Sequence, residues 1–175
     1  MSRVVHVIKA TGIAGAEKHL LTLLPALNRE RFGAHLIVLT EQRKPAPEFF
    51  SALQAADVNA ERVIIRGHAD PALAPRLALR LRALAPALVH THLLHADLYG
   101  TLAARLAGVP LVISTRHNDD PFRRRWPVSF FLRIINRRTD HFVAISERVR
   151  AFTIEVERVT ASRVDTVNYG LPLGA

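Results

Sequence analysis

The sequence predicts an α/β fold in which a doubly wound, mostly parallel sheet carries helices on both faces. Short solid runs of Val, Ile and Leu, such as RVVHVIK at 3–9, indicate strands that are buried on both faces. Segments in which Leu recurs at helical spacing follow these runs, and strand–helix alternation with crossovers of this length favours parallel strands. A chain of 175 residues with 49% hydrophobic content suffices for one domain with a sizeable core.

Strands and helices alternate along the whole chain. Strands are predicted at residues 3–9, 33–40, 61–66, 87–91, 109–115 and 140–146. Helices are predicted at residues 16–28, 47–56, 71–84, 97–108, 126–138 and 146–158. Leu20, Leu24 and Leu27 fall on one stripe of the first helix, whereas Pro25 predicts a kink or an early end there. Gly108 predicts the end of the fourth helix.

Composition and charge limit the classes of function. The absence of cysteine excludes a disulfide framework, a thiolate metal site and a thiol nucleophile. The net charge of +9, with 21 Arg and three Lys, favours anionic partners, although an Arg- and Ala-rich composition is equally explained by codon bias. No signal peptide or membrane-spanning run is visible, so we expect a cytoplasmic protein. No nucleic-acid-binding module is recognised, and nucleic acid is not expected as a partner.

The turn between the first strand and the first helix is a candidate anion site, because doubly wound sheets bind ligands at the carboxyl ends of their strands. Gly12 and Gly15 lie in this turn, and glycine lets a ligand approach the backbone closely. The free N–H groups of 15–17 then favour an anion. The same glycines are also compatible with a simple tight turn. The fingerprint G-x-G-x-x-G is absent, but Glu41 follows the second strand, so a fragment of a nicotinamide-dependent dehydrogenase remains an alternative.

The segment LVHTHLLHAD at 88–97 places His90, His92 and His95 at another strand end. On a strand, His90 and His92 point to the same side. The segment is close to the zinc hydrolase signature H-x-H-x-D-H, but Leu94 occupies the position of the required acid, and we expect no metal. Two interpretations remain. The histidines either hydrogen-bond with the backbone at a strand end, or they form the polar wall of a pocket for a hydroxylated or phosphorylated ligand.

The segment 119–138 is both basic and aromatic. Its six Arg alternate with four aromatic residues, Phe122, Trp126, Phe130 and Phe131. Such a surface suits a membrane interface or a phosphate-bearing lipid. The alternative is an ordinary helix that packs Phe130, Phe131 and Ile134 on the sheet while its Arg are solvated. We favour this second interpretation, because the segment lacks a clean basic face.

Four segments together resemble glycosyltransferase family 4. GIAGAEKHLLTLLPAL resembles its GG-x-E turn and first helix, and PALVHTHLLHADLYGTLAARLAGVPLVISTRHN resembles the block that contains H-x-H and a later T-x-H-x. FVAISERVRAFTI and VDTVNYGLP are similar to its two following motifs. Their order and spacing agree over essentially the whole chain. The sequence is therefore identified as the N-terminal, acceptor-side domain of a retaining glycosyltransferase with the GT-B fold, which is Rossmann-like.

The resemblance implies an activity and a set of site residues. A nucleotide sugar would give its glycosyl group to a glycan or lipid-linked acceptor with retention, without a required metal or other cofactor. His117 matches the histidine that faces the sugar and its leaving phosphate, and is the expected catalytic residue. Donor contacts are expected from Gly15, Ala16 and Asn118, and acceptor contacts from His92, His95 and Arg123. Ala14 replaces the first of the paired glycines and adds a methyl group near the donor phosphates.

The resemblance also implies a second domain. Family members continue into a Rossmann-like domain that holds most of the nucleotide-sugar site, and we expect 163–175 to begin the connection to it. Residues 1–175 would then be a single domain, either a fragment or half of a split enzyme, which is inactive alone. Contact with an anionic membrane at the cytoplasmic face is compatible with the charge. The rival from another class is a stand-alone module that binds an anion or nucleotide without catalysis.

Overall fold

The computed structural model describes residues 1–67 and 69–170. Within them, seven parallel strands form one sheet in the order β3-β2-β1-β4-β5-β6-β7. The strands are β1 Ser2–Lys9, β2 Phe32–Glu41, β3 Ala60–Ile65, β4 Leu88–His92, β5 Leu111–Arg116, β6 His141–Ala144 and β7 Val164–Thr166. The helices are α1 Gly15–Ala26, α2 Pro47–Ala55, α3 Leu73–Leu84, α4 Leu94–Ala107, α5 Val128–Asn136 and α6 Glu147–Glu155. The predicted doubly wound α/β fold is confirmed.

The strand order reverses between β1 and β4. From β1 the chain winds outward to β3, crosses back, and continues from β4 outward to β7. This reversal creates a switch point at which the loops after β1 and β4 diverge to opposite sides, and ligands of doubly wound sheets bind there. The early end predicted for the first helix is also observed, because α1 stops at Ala26, directly after Pro25.

Helices cover both faces of the sheet, but not evenly. On one face α1 and α2 pack on β1 and β2, as in the cluster of Ile8, Leu20, Leu36 and Phe49. On the other face α3 and α4 pack on the centre of the sheet. The approach of α4 is close, because a Cβ added at Gly100 would lie 3.0 Å from Thr91. None of the described helices is long and apolar enough to span a bilayer.

The prediction that both faces of every strand are buried is wrong for β5 and β6. Side chains there alternate, so that Phe142 is fully buried whereas Leu111 is 42% exposed, and Ile113 and Val143 are half-buried. The reason is the handedness of the crossovers: connections that run in one direction along the sheet place their helices on one side. In the described residues, α1 and α2 therefore cover β1 and β2 but leave much of the same face of β5 to β7 uncovered.

The basic, aromatic segment differs from the favoured prediction. The helix predicted at 126–138 is present as α5, two residues shorter at each end, and a short 3₁₀ turn, Pro121–Arg124, precedes it. We expected Phe130 and Phe131 to pack on the sheet, but they are 54% and 53% exposed. Instead α5 buries Leu132 and Ile135, which lie one turn apart on its other side.

Candidate functional site

Histidines from three neighbouring strand segments meet at the switch point. His6 of β1 pairs in register with His90 of β4, and Ile8 pairs with His92. Because residues two apart on a strand point to one side, His90 and His92 share one face of the sheet with His6. His117 directly follows the last residue of β5. The structure thus brings His92 and His117, which are 25 residues apart in sequence, to one place.

These rings form a hydrogen-bonded chain, which we call the histidine chain: His6, His92, His117 and the closing residue Tyr169. Nδ1 of His6 lies 3.1 Å from Nε2 of His92, and Nδ1 of His92 lies 3.1 Å from Nε2 of His117. Nδ1 of His117 hydrogen-bonds with the hydroxyl of Tyr169. Both ring nitrogens of His92 and of His117 are therefore occupied by other side chains. A ligand reaches a ring nitrogen of His117 only when Tyr169 moves away.

Burial keeps the rings neutral. Loss of hydration is the main cause that lowers the pKa of His6 to about 4 and the pKa of His117 to about 3. The pKa values of His90 and His92 are held well below the ordinary range, first by burial and then by neighbouring histidines. At neutral pH each ring therefore carries one N–H donor and one acceptor lone pair.

A metal ion could use these rings only by replacing their hydrogen bonds. One ligand atom from each of His6, His90 and His92 lies within 4.8 Å of the other two. However, Nε2 of His90 lies 2.7 Å from the hydroxyl of Thr115, and both nitrogens of His92 are engaged. Tetrahedral zinc requires nitrogens at about 2.1 Å from the ion. The residues fit a hydrogen-bonded chain better than a metal centre, and stoichiometric zinc by elemental analysis would restore the metal alternative.

The turn before α1 opens onto the same edge of the sheet. Oε2 of the buried Glu17 accepts a hydrogen bond of 3.1 Å from the N–H of Ala14, which closes the start of the helix. A Cβ added at Gly15 would meet no described atom within 4 Å, and the φ of Gly15 is not positive. Neither packing nor backbone strain therefore requires glycine here, and room remains for a ligand beside the N–H groups of Gly15 and the buried Ala16.

Tyr169 lies between α1 and the end of β5. Its ring stacks on His19 of α1 with a centroid distance of 4.1 Å and an interplanar angle of 13°. The centroids of His19 and His117 are 6.2 Å apart, which places the first turns of α1 beside the end of β5. Burial and then the charge of Glu17 raise the pKa of Tyr169 to about 12, so the phenol keeps its proton at neutral pH.

A buried ion network holds the strand end from which His117 projects. Arg116 is 1% exposed, and its guanidinium lies 2.7 Å from Asp97 of α4 and 2.8 Å from Glu157. The amide oxygen of Asn136 accepts a further hydrogen bond of 2.8 Å from Arg116. Buried charges of this kind are tolerated only in well-satisfied geometry. The network therefore anchors the side chain of Arg116, the residue before His117.

Arg123, which was predicted to contact the acceptor, belongs to this network. It is 2% exposed, and its Nη1 lies 2.8 Å from Oε1 of Glu157. Burial alone would raise the pKa of Glu157, but the charges of Arg116 and Arg123 outweigh it and hold that pKa below its usual range. A ligand would reach Arg123 only if this ion pair opened.

Asn118 and His95 follow the carboxyl ends of β5 and β4, respectively. Oδ1 of Asn118 is buried and has no hydrogen-bond partner among residues 1–67 and 69–170, so it is an unsatisfied acceptor that a ligand could use once the atoms covering it move. His95 is half-buried in the first turn of α4, which begins at Leu94, three residues earlier than predicted. Leu93 before it has φ of 69°, a strained backbone conformation of the kind that clusters at functional sites.

Sequence reasoning missed several residues of this region, among them His6, Tyr169 and Glu157. A titratable ring inside the apolar run RVVHVIK was a visible signal for His6, because such a ring needs a polar partner when it is buried. Spacing in the sequence carries no signal for Tyr169 or Glu157, since each meets its partner only after the chain has folded.

Several solved structures share this fold. Anabaena HepE (Alr3699) in complex with UDP-glucose is similar with a TM-score of 0.74 and 14% identity, over 98% of this chain and 44% of that chain. The lipopolysaccharide outer core galactosyltransferase WaaB in its apo form is similar with a TM-score of 0.71 and 11% identity, over 95% and 45%. A Neisseria meningitidis UDP-GlcNAc 2-epimerase bound to UDP-GlcNAc has a TM-score of 0.67 and 14% identity, over 94% and 45%.

These likenesses define the class as the N-terminal half of the GT-B fold, and the chain spans less than half the length of each of these three neighbours. Among curated proteins, no sequence match is found. The profile of Glycosyltransferase Family 4 matches residues 13–174, and the chain belongs to this family.

Proposed function

We propose that this chain is the acceptor-side domain of a retaining glycosyltransferase that transfers a glycosyl group from a nucleotide sugar to a glycan or lipid-linked acceptor. The observation that carries the proposal is the proximity of α1 to the end of β5, where His19 and His117 are 6.2 Å apart. A helix N-terminus that favours anions and a neutral imidazole at one edge suit a sugar diphosphate. The complexes of HepE with UDP-glucose and of the epimerase with UDP-GlcNAc support a nucleotide sugar as ligand.

The predicted residues divide into two groups in this proposal. The donor diphosphate lies against the N–H groups of Gly15 and Ala16, and Asn118 binds a hydroxyl group through its unpartnered Oδ1. His117 faces the transferred sugar. The acceptor contacts His95, the half-buried member of its group, whereas the buried His92 and Arg123 support the pocket wall from behind.

A second, donor-binding domain completes the proposed enzyme. The coverage of 44% and 45% of the neighbouring chains is consistent with this arrangement. Residues 163–175 would lead toward it; Val164–Thr166 form β7, and 171–175 lie outside the described residues. We expect transfer only when both domains are present, with the enzyme acting in the cytoplasm.

The test is a transfer assay with a panel of nucleotide sugars, run on residues 1–175 and on a protein that also contains a donor domain. The anomeric configuration of the product is read by NMR. We expect the two-domain protein to transfer the sugar with retention and residues 1–175 to show no transfer. Inverted product, or no transfer by the two-domain protein, would overturn the proposal. Nucleotide binding by residues 1–175, together with no transfer by either protein, would favour the stand-alone binding module.

An exposed aromatic–arginine patch supports contact of this domain with a membrane. The patch consists of Phe122, Trp126, Phe130 and Phe131 with Arg124 and Arg125. Trp126 is 81% exposed, and the rings of Phe130 and Phe131 lie edge to face at 5.7 Å. Exposed aromatic rings next to cations fit the interface of an anionic bilayer, where rings enter the headgroup region and guanidinium groups bind phosphate. The proposed occupant of this patch is therefore an anionic lipid surface.

Cosedimentation with vesicles tests this contact. Binding to phosphatidylglycerol vesicles should exceed binding to phosphatidylcholine vesicles, and Trp126→Ser with Phe130→Ser should reduce it at least about tenfold, since each buried ring contributes about 1.5–3 kcal/mol. Leu79→Ser is the matched control, because Leu79 is 63% exposed on α3, away from the patch. Equal binding to both vesicle types, or equal losses in both variants, would contradict membrane contact through this patch.

A further inference from the structure

The histidine chain has a direction, which follows from counting protons. A neutral imidazole has one N–H donor and one acceptor nitrogen. His92 and His117 are each bonded at both nitrogens, so each must donate at one end and accept at the other. Only two arrangements satisfy all three hydrogen bonds. Either every bond points from Tyr169 toward His6, or every bond points from His6 toward Tyr169.

The arrangement that points from Tyr169 toward His6 fits the chemistry of its ends. A phenol is the more acidic partner and an imidazole nitrogen the more basic one, so Tyr169 donates and Nδ1 of His117 accepts. The raised pKa of Tyr169 and the lowered pKa of His117 agree with two neutral partners. The proton of His117 then lies on Nε2 and is donated to His92, which donates in turn to His6.

The other end of the histidine chain is the buried residue His6. His6 is 3% exposed, and its Nε2 has no hydrogen-bond partner among the described residues. In the arrangement that starts at Tyr169, His6 accepts the hydrogen bond from His92 at Nδ1 and carries its own proton on Nε2. Bonds in such a chain polarise one another, so the acceptor at His6 influences a ring that it does not touch.

We propose that His6 and His92 are positioning residues that hold His117 in the Nε2–H tautomer. Nδ1 of His117, at the Tyr169 end of the histidine chain, is then an acceptor for a hydroxyl group. In this structure the hydroxyl of Tyr169 fills that position. A sugar hydroxyl is a donor of the same kind and would replace Tyr169. The inference rests on the proposed function for the identity of the hydroxyl, whereas the tautomer is a property of the protein alone.

The test is a long-range ¹H–¹⁵N correlation spectrum of ring nitrogens in protein labelled with ¹⁵N-histidine, recorded without nucleotide sugar. In the wild type, Nε2 should be protonated and Nδ1 unprotonated in His6, His92 and His117. His6→Phe removes the acceptor, and the Nδ1 signal of His117 should move toward the protonated range although the two rings are not in contact.

Two further variants make the result interpretable. His6→Asn places an amide oxygen where Nδ1 was and should restore the wild-type pattern, which also covers the case in which His6→Phe does not fold. His141→Phe is the matched control, because His141 lies outside the chain and bonds with Asp165. A protonated Nδ1 of His117 in the wild type overturns the proposal, and so does a His117 tautomer in His6→Phe that is the same as in the wild type. The tautomer pattern without transfer activity would refute the proposed function and leave this inference standing.

Discussion

Nδ1 of His92 lies 3.1 Å from Nε2 of His117, so the fully buried ring of β4 holds the ring at the end of β5 from behind. The orientation of His117 is thus set by the interior of the sheet and not by the loop that follows it. A side chain supported in this way is pre-organised, which is the property that a group facing a reacting sugar requires.

The first prediction concerns His117. His117→Ala in the two-domain protein should lower turnover at least about tenfold while the fold stays intact, because a preorganised hydrogen bond to the reacting sugar is lost. The measurement is kcat together with a circular dichroism spectrum. His141→Ala is the control, since it removes a histidine of β6 that bonds with Asp165 instead. Unchanged turnover in His117→Ala would remove the residue from the site.

The second prediction concerns pH. The folded pKa of His6 is about 4 and that of His117 about 3, whereas the ordinary value is 6.5. The unfolded chain therefore binds more protons than the folded chain below pH 6.5, and stability must fall as the pH drops from there toward 4. At pH 5 each such ring lowers the free energy of unfolding by about 2 kcal/mol.

Urea denaturation at pH 7 and pH 5 measures this effect. His6→Asn, which carries no titrating ring, should lose less stability between the two values than the wild type does, by about 2 kcal/mol. Equal stability of the wild type at both values would show that the rings are not held neutral.

The third prediction concerns the turn before α1. Gly15→Ala should leave stability nearly unchanged, because the added Cβ meets no described atom within 4 Å beyond its neighbours in the chain and helix, but it should raise the KM for the nucleotide sugar by obstructing the diphosphate. Gly100→Ala is the counterpart. Its Cβ would lie 3.0 Å from Thr91, so it should lower stability without a selective effect on the donor. A Gly15→Ala protein with an unchanged KM would place the donor elsewhere.

The fourth prediction concerns the buried ion network. Glu157→Leu leaves Arg116 and Arg123 without their shared carboxylate and should lower the free energy of unfolding by about 3–5 kcal/mol. Asp57→Asn breaks the exposed pair with Arg29 and should cost less than about 1 kcal/mol. Chemical denaturation of both variants gives the comparison, and similar losses would show that the buried network contributes no more than a surface ion pair.

Hydrophobic patterns are sufficient to predict the fold. The predicted strands 3–9 and 33–40 match β1 and β2 within one residue at each end, because solid apolar runs between turns leave few alternatives. The predicted start of α4 is three residues late, since no capping side chain precedes this helix and Leu93 adopts a positive φ that its residue type does not suggest.

The site is only partly predictable. Alternation along a strand is enough to place His90 and His92 on one side of the sheet. The contact of His92 with His6 cannot be predicted in this way, because it depends on the order of strands in the sheet. The exposure of Phe130 and Phe131 is also missed, since the helical pattern does not reveal which side of a short helix faces the protein.

The pairing of β1 with β4 also sets a folding problem. It joins residues such as His6 and His92 that are 86 positions apart, whereas β1 and β2 pair through residues such as His6 and Leu36. Closing so long a loop is entropically costly, and nonlocal pairing of this kind slows folding. The hydrogen bond between His6 and His92 exists only after that closure, so the ring nitrogens provide a probe of the moment at which the two halves of the sheet join.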